Sequence, residues 1–313
     1  MNQNNYPDID DEVEVKEIIQ AIWNEKYKIF ITALIFFVII FGYTLTLPNI
    51  YVSQSVLAPS KSDDSLSSKL GNYSSIANIA GIDLGGDSDT KTSEAIQRII
   101  SYDFFIKEFL PSIYFPDLVA VKNWDSENNT LIYEDKNWIK LEKDISDSKP
   151  VVEKVYFGSS KPTKQEAYEE YLDILDISED SKTSFITISI EHVSPNIAAN
   201  WVNIIIDKIN NHMRELDKTV AENSINFLNI SYQKTKLSDL KDAISGLLQE
   251  QIQVLMLAEA NQDYVFKRIT SPIASEEKSK PSRFLIGFFG FLLGFLLSTL
   301  YAIYRHFFIS KES

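Results

Sequence analysis

The chain contains no cysteine, so it can form neither a disulfide staple, a thiol nucleophile nor a cysteine-ligated zinc site. That composition also suits an oxidising compartment. Histidine is almost as scarce. His192, His212 and His306 stand far apart, and no HExxH or GxSxG pattern accompanies them. The stretch GSSKPTKQ from Gly158 lacks the second glycine and the GK[ST] of a phosphate loop. The acidic run DIDDEVE from Asp8 lacks the glycine turn and the bidentate glutamate of a calcium loop, so it reads as a solvated tail leading into a helix. Basic residues are outnumbered too: 30 Lys and Arg face 44 Asp and Glu, a net charge of −14. A nucleic-acid or anionic-lipid surface would be basic, so the charge argues against such a surface. No catalytic group, cofactor site or metal site emerges, and the expectation is a protein that is not an enzyme.

What the chain does have is two long uncharged runs. Residues 284–304, FLIGFFGFLLGFLLSTLYAIY, would make a helix about 31 Å long, the thickness of a bilayer's hydrocarbon core. Residues 29–47, IFITALIFFVIIFGYTLTL, would reach about 28 Å. The first run is too long for a signal-peptide core, its leader is acidic, and no small-x-small cleavage pattern follows it. Both runs are therefore expected to span a membrane, with Pro48 at the exit of the first. Lys16, Lys26 and Lys28 precede that span while only Lys61 follows it closely, which keeps the N-terminus in the cytoplasm. Lys267, Arg268, Lys278, Lys280 and Arg283 before the second span argue the other way against Arg305 and Lys311 beyond it. The first helix usually dominates and long loops cross regardless of charge, so the intervening loop is expected to be translocated.

That loop is acidic overall, large enough for a real core, and reads as two halves. Residues 48–194 show a mixed α/β pattern. NIYVSQSVLAP reads as a strand, and TKTSEAIQRIISYDFFIKEFL as a helix or helix pair capped by Thr92 or Ser93. In KTSFITISIEHVSP, Phe185, Thr187 and Ser189 alternate with Ile186, Ile188 and Ile190, the period of a strand. The Gly/Ser-rich run between residues 60 and 89 reads as a surface loop. Beyond Pro195, a good first residue for a helix, there is no proline before Pro272 and one glycine, Gly246. Apolar residues recur at three and four through Ile209, Met213, Leu216, Val220, Phe227 and Ile230. After a slip they resume at Leu237, Leu240, Ile244, Leu247, Val254 and Ala258. A single rod of that length would reach about 100 Å, whereas the twenty or so residues left before the second span cover only about 70 Å. A helical hairpin that breaks between Asn229 and Gly246 is the expectation. In the second span Gly290 and Gly294 form GxxxG with Gly287 one turn earlier, a candidate face for close helix packing. Trp23, Trp124, Trp138 and Trp201 are scattered, as core or interface residues would be.

Three segments carry a resemblance. DDEVEVKEIIQAIWNEKYKIF before the first span, SIEHVSPNIAANWVNIIIDKINNHMRE with its Pro-x-x-Ala-x-x-Trp opening, and NQDYVFKRITSPIASEEKSKPSRFLIGFFGFLLG before and into the second span are similar to Wzz-type polysaccharide co-polymerases. The third places Pro272 and Pro281 as membrane-entry prolines, with IASEEKSK between them where the family shows more prolines. The resemblance implies an α+β protein: two transmembrane helices flanking a periplasmic domain with an α/β base and a long helical hairpin. It divides the chain into a cytoplasmic tail (1–28), a first span (29–47), the base (48–194), the hairpin (195–262), a return strand and Pro-containing linker (263–283), a second span (284–304) and a cytoplasmic tail (305–313). It further implies a regulator of O-antigen (lipopolysaccharide) modal chain length in the inner membrane. Such a protein forms a ring-like homo-oligomer beside the O-antigen polymerase and its lipid-linked polysaccharide. The short C-terminal tail has no room for the tyrosine kinase of capsule systems, which points to the kinase-free class. A two-span periplasmic sensor or adaptor, and a length or export factor for another surface polysaccharide such as capsule, are the alternative readings.

Overall fold

A computed structural model of the chain describes residues 15–60, 88–133 and 161–305. The acidic run at 8–14, most of the Gly/Ser-rich run, Trp138, Gly158 and His306 lie outside them. The chain divides into two units, one built from the two ends of the sequence (1–49 and 279–313) and one from residues 50–278.

The first unit is a pair of helices. Helix α1 runs over Val15–Thr44 and helix α7 over Arg283–Tyr304. α1 differs from the expected 29–47 at both ends. It starts earlier because the charged lead-in contains no breaker, so its apolar stretch is Ile22–Thr44. It stops earlier because Leu47 precedes Pro48 and is pushed out of the helical region. Leu45, Thr46 and Leu47 instead donate to the carbonyls three residues back, at 3.1–3.4 Å. The hydroxyls of Thr44 and Thr46 tighten that turn by donating to the Phe41 and Tyr43 carbonyls at 2.7 and 2.8 Å.

The second unit is built on a four-stranded antiparallel sheet. Its strands are β1 (Tyr51–Pro59), β4 (Leu175–Glu179), β5 (Ile186–His192) and β6 (Phe266–Arg268), in the order β4-β5-β1-β6. β1 pairs with β5 from Tyr51↔His192 to Leu57↔Ile186, and with the short return strand β6 at Leu57↔Arg268. A separate two-stranded ribbon joins β2 (Val121–Asp125) to β3 (Thr130–Tyr133). Asn129 turns that ribbon with φ 49°, in the left-handed region that asparagine tolerates.

Four shorter helical pieces surround the sheet. Helix α2 (Ser88–Ile99) begins a turn before the expected cap, so Thr92 is an interior, buried position and not an N-cap. Ser101 does the capping for the next segment, accepting from the Phe104 amide at 3.2 Å. That segment, 102–112, winds through one α turn, a π turn over Phe105–Phe109 and a 3₁₀ turn ending before Ile113. Helix α3 (Phe115–Val119) and helix α4 (Lys164–Ile174) follow, the latter opened by a Thr163/Glu166 capping box.

The core lies where helix α5 (Pro195–Lys234) meets these pieces. Its Ala198, Trp201, Val202, Ile205, Ile206 and Ile209 share a buried cluster with Ile186, Ile188 and Ile190 of β5. Phe104, Phe105, Phe109 and Tyr171 complete that cluster. The 3.6 period of α5 and the alternation of β5 thus turn their apolar sides to one interior. Beyond Met213 the helix leaves the sheet and pairs antiparallel with helix α6 (Ser238–Ala260). Leu228 meets Ile244 and Leu247 in a second small cluster, and Lys218 reaches Glu259 at 3.6 Å. The break occupies residues 235–237, within the expected window. Thr235 turns extended there, and its hydroxyl donates back to the Ser231 carbonyl at 2.8 Å.

Candidate functional site: a glycine-lined helix pair and the root of the long hairpin

In the first unit, Gly287, Gly290 and Gly294 are the buried positions of α7 together with Ala302, and they face α1. A Cβ placed on Gly294 would stand 2.7 Å from the Phe36 Cβ and 3.1 Å from the Ala33 Cα. One on Gly290 would stand 2.6 Å from the Ile40 Cδ1, and one on Gly287 2.9 Å from the Phe37 ring. Real Cβ atoms do not approach so closely, so the absence of side chains is what lets the helices touch. Gly42, on the other face of α1, has nothing within 4 Å of such a Cβ.

Polar contacts fasten both ends of the pair. Arg305 and Lys28 converge on the Glu25 carboxylate at 3.1 and 3.2 Å, and Arg283 donates to the Asn49 side-chain oxygen at 2.9 Å. Exposed Trp23 and Tyr27 lie at the Glu25 end, each under the Lys26 ammonium, with Tyr301 and Tyr304 nearby in α7. Such amphipathic rings suit a bilayer's interfaces. Only 17% of each apolar stretch is buried within the chain, and Leu34, Val38, Ile39, Leu293 and Leu296 face outward. A soluble core helix would hide those side chains.

Of the other residues picked out by sequence, Pro48 directly follows the turn that closes α1, and Pro281 follows a cis peptide two residues before α7. Pro272 is buried in the segment after β6. That segment is stitched to β1: Ser53 donates to the Ile273 carbonyl at 2.9 Å, and the Val56 amide donates to the Thr270 hydroxyl at 2.9 Å. Trp201 and Trp124 are drawn to the start of α5, whereas Trp23 belongs to the helix pair.

In the second unit the root of α5 gathers residues that sequence reading missed. His192, the last residue of β5, is buried against the Trp201 ring, with ring centres 5.0 Å apart. Its Nδ1 lies 3.0 Å from the Ser194 amide and its Nε2 3.0 Å from the Asp117 carbonyl. The Asp117 carboxylate accepts from the Tyr133 hydroxyl at 2.6 Å. Burial raises the Asp117 carboxyl above its ordinary range, against that hydrogen bond, and it pushes the His192 imidazole below its own. Asn129 accepts from both Trp124 Nε1 (3.1 Å) and Asn196 Nδ2 (3.0 Å), tying the ribbon to the first turn of α5.

Further along α5, buried Asn210 accepts from the Val265 and Phe266 amides, both at 2.9 Å, and donates to the Phe266 carbonyl at 3.0 Å. It stands in for a missing strand and fixes β6. The one signal for it was a polar residue amid the apolar stripe of Ile206, Ile209 and Met213. Past the sheet, α5 leaves Val220, Phe227 (54% exposed) and Ile230 (53% exposed) outside the seam with α6, and Met256 of α6 is 64% exposed. Among the described residues, no three His, Asp or Glu side chains are placed to hold a metal ion.

These features define a membrane protein whose two apolar helices flank, in sequence, a large mixed α/β domain with a helical hairpin. Residues 11–111 match the protein-family model described as Wzz, chain length determinant protein. No curated protein sequence matches the chain. Among solved structures, a "full-length bacterial polysaccharide co-polymerase" is 11% identical, with 93% of this chain and 97% of that one covered at a TM-score of 0.37. A fragment of WzzB, a polysaccharide co-polymerase from Salmonella Typhimurium, is 12% identical, with 74% and 99% covered at a TM-score of 0.27. At those scores the family match rests on residues 11–111.

Proposed function

We propose that the protein sets the chain length of a surface polysaccharide, and that this polysaccharide is the O-antigen of lipopolysaccharide. The observation that carries the reading is the chain-length-determinant match over residues 11–111, which include α1 and β1. The work is scaffolding. Copies pack side by side in the inner membrane next to the polymerase and its lipid-linked substrate, with both termini cytoplasmic and the second unit in the periplasm.

The surfaces suit that role. Leu216, Val220, Phe227 and Ile230 recur along α5 at intervals of four, seven and three, a heptad-like stripe beside the seam already filled by α6. α6 in turn shows Ile252, Met256 and Leu257 away from that seam. An exposed apolar stripe of this kind marks a contact surface, and the proposed cover is the neighbouring copy. Such a head-to-tail contact closes into a ring when the rotation per subunit closes.

The test is a chromosomal deletion in the source bacterium, read on a lipopolysaccharide gel. The modal band cluster should collapse to a random length distribution and return with the plasmid-borne gene. An unchanged ladder beside a shifted capsule or exopolysaccharide length would transfer the role to that polymer. No change in any polysaccharide would end the reading.

A further inference from the structure

We propose that His192 is an acid-sensitive latch that holds α3 and the β2–β3 ribbon on the root of α5 and releases them when the imidazole takes a second proton. The hydrogen bonds fix its tautomer. The Ser194 amide can only donate, so Nδ1 must be the acceptor; the Asp117 main-chain carbonyl can only accept, so Nε2 must carry the hydrogen. Both ring nitrogens are then satisfied, but only by the neutral form. An imidazolium would turn a second N–H onto the Ser194 amide, and donor would face donor.

The position gives that conflict leverage. Ser194 is the N-cap of α5 and Pro195 its first residue, so the bond at Nδ1 shapes the entry to a 40-residue helix. The bond at Nε2 holds α3, and Trp201 one and a half turns into α5 keeps the ring from swinging out. The ribbon beyond α3 is attached to the same root by Asn129 and by the edge-on contact of Tyr51 with Trp124. A two-stranded ribbon is marginal by itself and depends on such anchors.

The titratable groups around the ring are few. From α3 comes the Asp117 carboxyl, from β3 the Tyr133 hydroxyl bound to it, and from β1 the Tyr51 opposite His192 in the sheet. α5 presents the uncharged Trp201. Asp117 would welcome an imidazolium, but burial outweighs it and holds the imidazole below its ordinary range. The open form therefore binds the proton more readily, and stability present above about pH 6.5 is lost as the pH falls through that value. Asp117 acts in the opposite sense, its raised carboxyl favouring the closed form in acid. His212 on α5 stands apart from this group, between Arg98 (3.5 Å) and Glu108 (3.3 Å).

The test is amide hydrogen exchange of the full chain in detergent at pH 7 and pH 5, corrected for intrinsic rates. Protection at residues 194–198 and in the ribbon should fall by up to about 25-fold, the limit set by an open-state value near 6.5, while amides of α6 keep theirs. His192→Asn retains a side-chain oxygen for the Ser194 amide but cannot titrate. Its protection should not fall over the same range, and because it keeps Asp117 the difference between the two proteins isolates His192. A wild-type protein with no selective loss, or an Asn variant with the same loss, overturns the latch. Should the variant not fold, ¹⁵N-histidine spectra of a His212→Gln/His306→Gln chain decide the matter. An Nε2–H tautomer with a depressed midpoint upholds the latch, and an Nδ1–H tautomer or an ordinary midpoint overturns it.

Discussion

Leucine at Gly294 should leave the protein in the membrane yet spoil its control of glycan length. A Cβ there already falls 2.7 Å from the Phe36 Cβ and 3.1 Å from the Ala33 Cα, and the latter is backbone that cannot rotate away. Ordinary carbon contact needs about 3.8 Å, so the helices must part by roughly 1 Å. A gap of that size forfeits about a third of each contact; over roughly thirty atom pairs at about 0.1–0.2 kcal/mol the loss is about 1.5 kcal/mol. Lipid supplies no hydrophobic drive to offset it, and the figure lies within the range for helix contacts in membranes, about 1–2 kcal/mol. Gly290→Leu should cost less, because the Ile40 Cδ1 it meets is the end of a flexible side chain, although the Ile40 Cβ at 3.0 Å limits the relief. Insertion should not suffer, since Leu is more apolar than Gly. The assay pairs membrane abundance by immunoblot with the lipopolysaccharide ladder: normal abundance, with a broadened or shifted distribution. Two controls carry the inference. Gly42→Leu enters open space, and Leu293→Val changes an outward-facing residue of the same span, so both should leave the ladder alone. If Gly290→Leu and Gly294→Leu, singly and together, also leave it alone, the close approach has no part in length control and the spans act as tethers.

Asn210→Ala strips three partners from the β6 backbone and leaves them buried; unfolding of the detergent-solubilised chain in urea should show a loss of about 3 kcal/mol, and a loss under 1 would mean that water replaces the side chain. Phe227→Asp with Ile230→Asp should cost the isolated protomer little, both residues being exposed, but mass photometry in nanodiscs should report single copies because each charge would be buried unpaired between subunits. An intact oligomer would show that the stripe is not the interface. In a chain without cysteine, Asn229→Cys offers one thiol, and it should react with impermeant maleimide only once the outer membrane is opened; labelling that requires lysis of the inner membrane would invert the proposed topology.

The elements easiest to read in the sequence were those whose pattern is repeated many times. Two uncharged runs, the alternation around Ile188 and the three–four spacing after Pro195 each involve several residues answering to one environment, so no single exception hides them. The boundaries were harder because each depends on one local contest. Thr92 and Ser93 look like caps, yet α2 continues back to Ser88 with Thr92 buried in its first turns, since the core favours the helix more than the hydroxyl favours a cap. The hairpin break carries no glycine or proline at all. Thr235 and its neighbours are pulled out of the helix by the packing of Leu228 on Ile244 and Leu247, a contact between residues far apart in the chain.

The glycine triplet and His192 show the same division within the candidate sites. Spacing alone put Gly287, Gly290 and Gly294 on one face, because helix geometry fixes who shares a face before any partner is known. Which surface they meet could not follow from spacing, since a partner subunit or lipid would satisfy the pattern as well as α1 does. His192 gave less still, a lone histidine at the end of an apolar strand. Its role comes from three separate pieces of chain, the carbonyl of Asp117, the amide of Ser194 and the ring of Trp201, which only the folded domain brings around one imidazole. Ser194 and Trp201 both fall in the stretch SIEHVSPNIAANW. The local part of that geometry, an amide two residues on that donates to a side-chain nitrogen, could have been anticipated at His192. The remote carbonyl that fixes the other nitrogen, and with it the protonation state, could not.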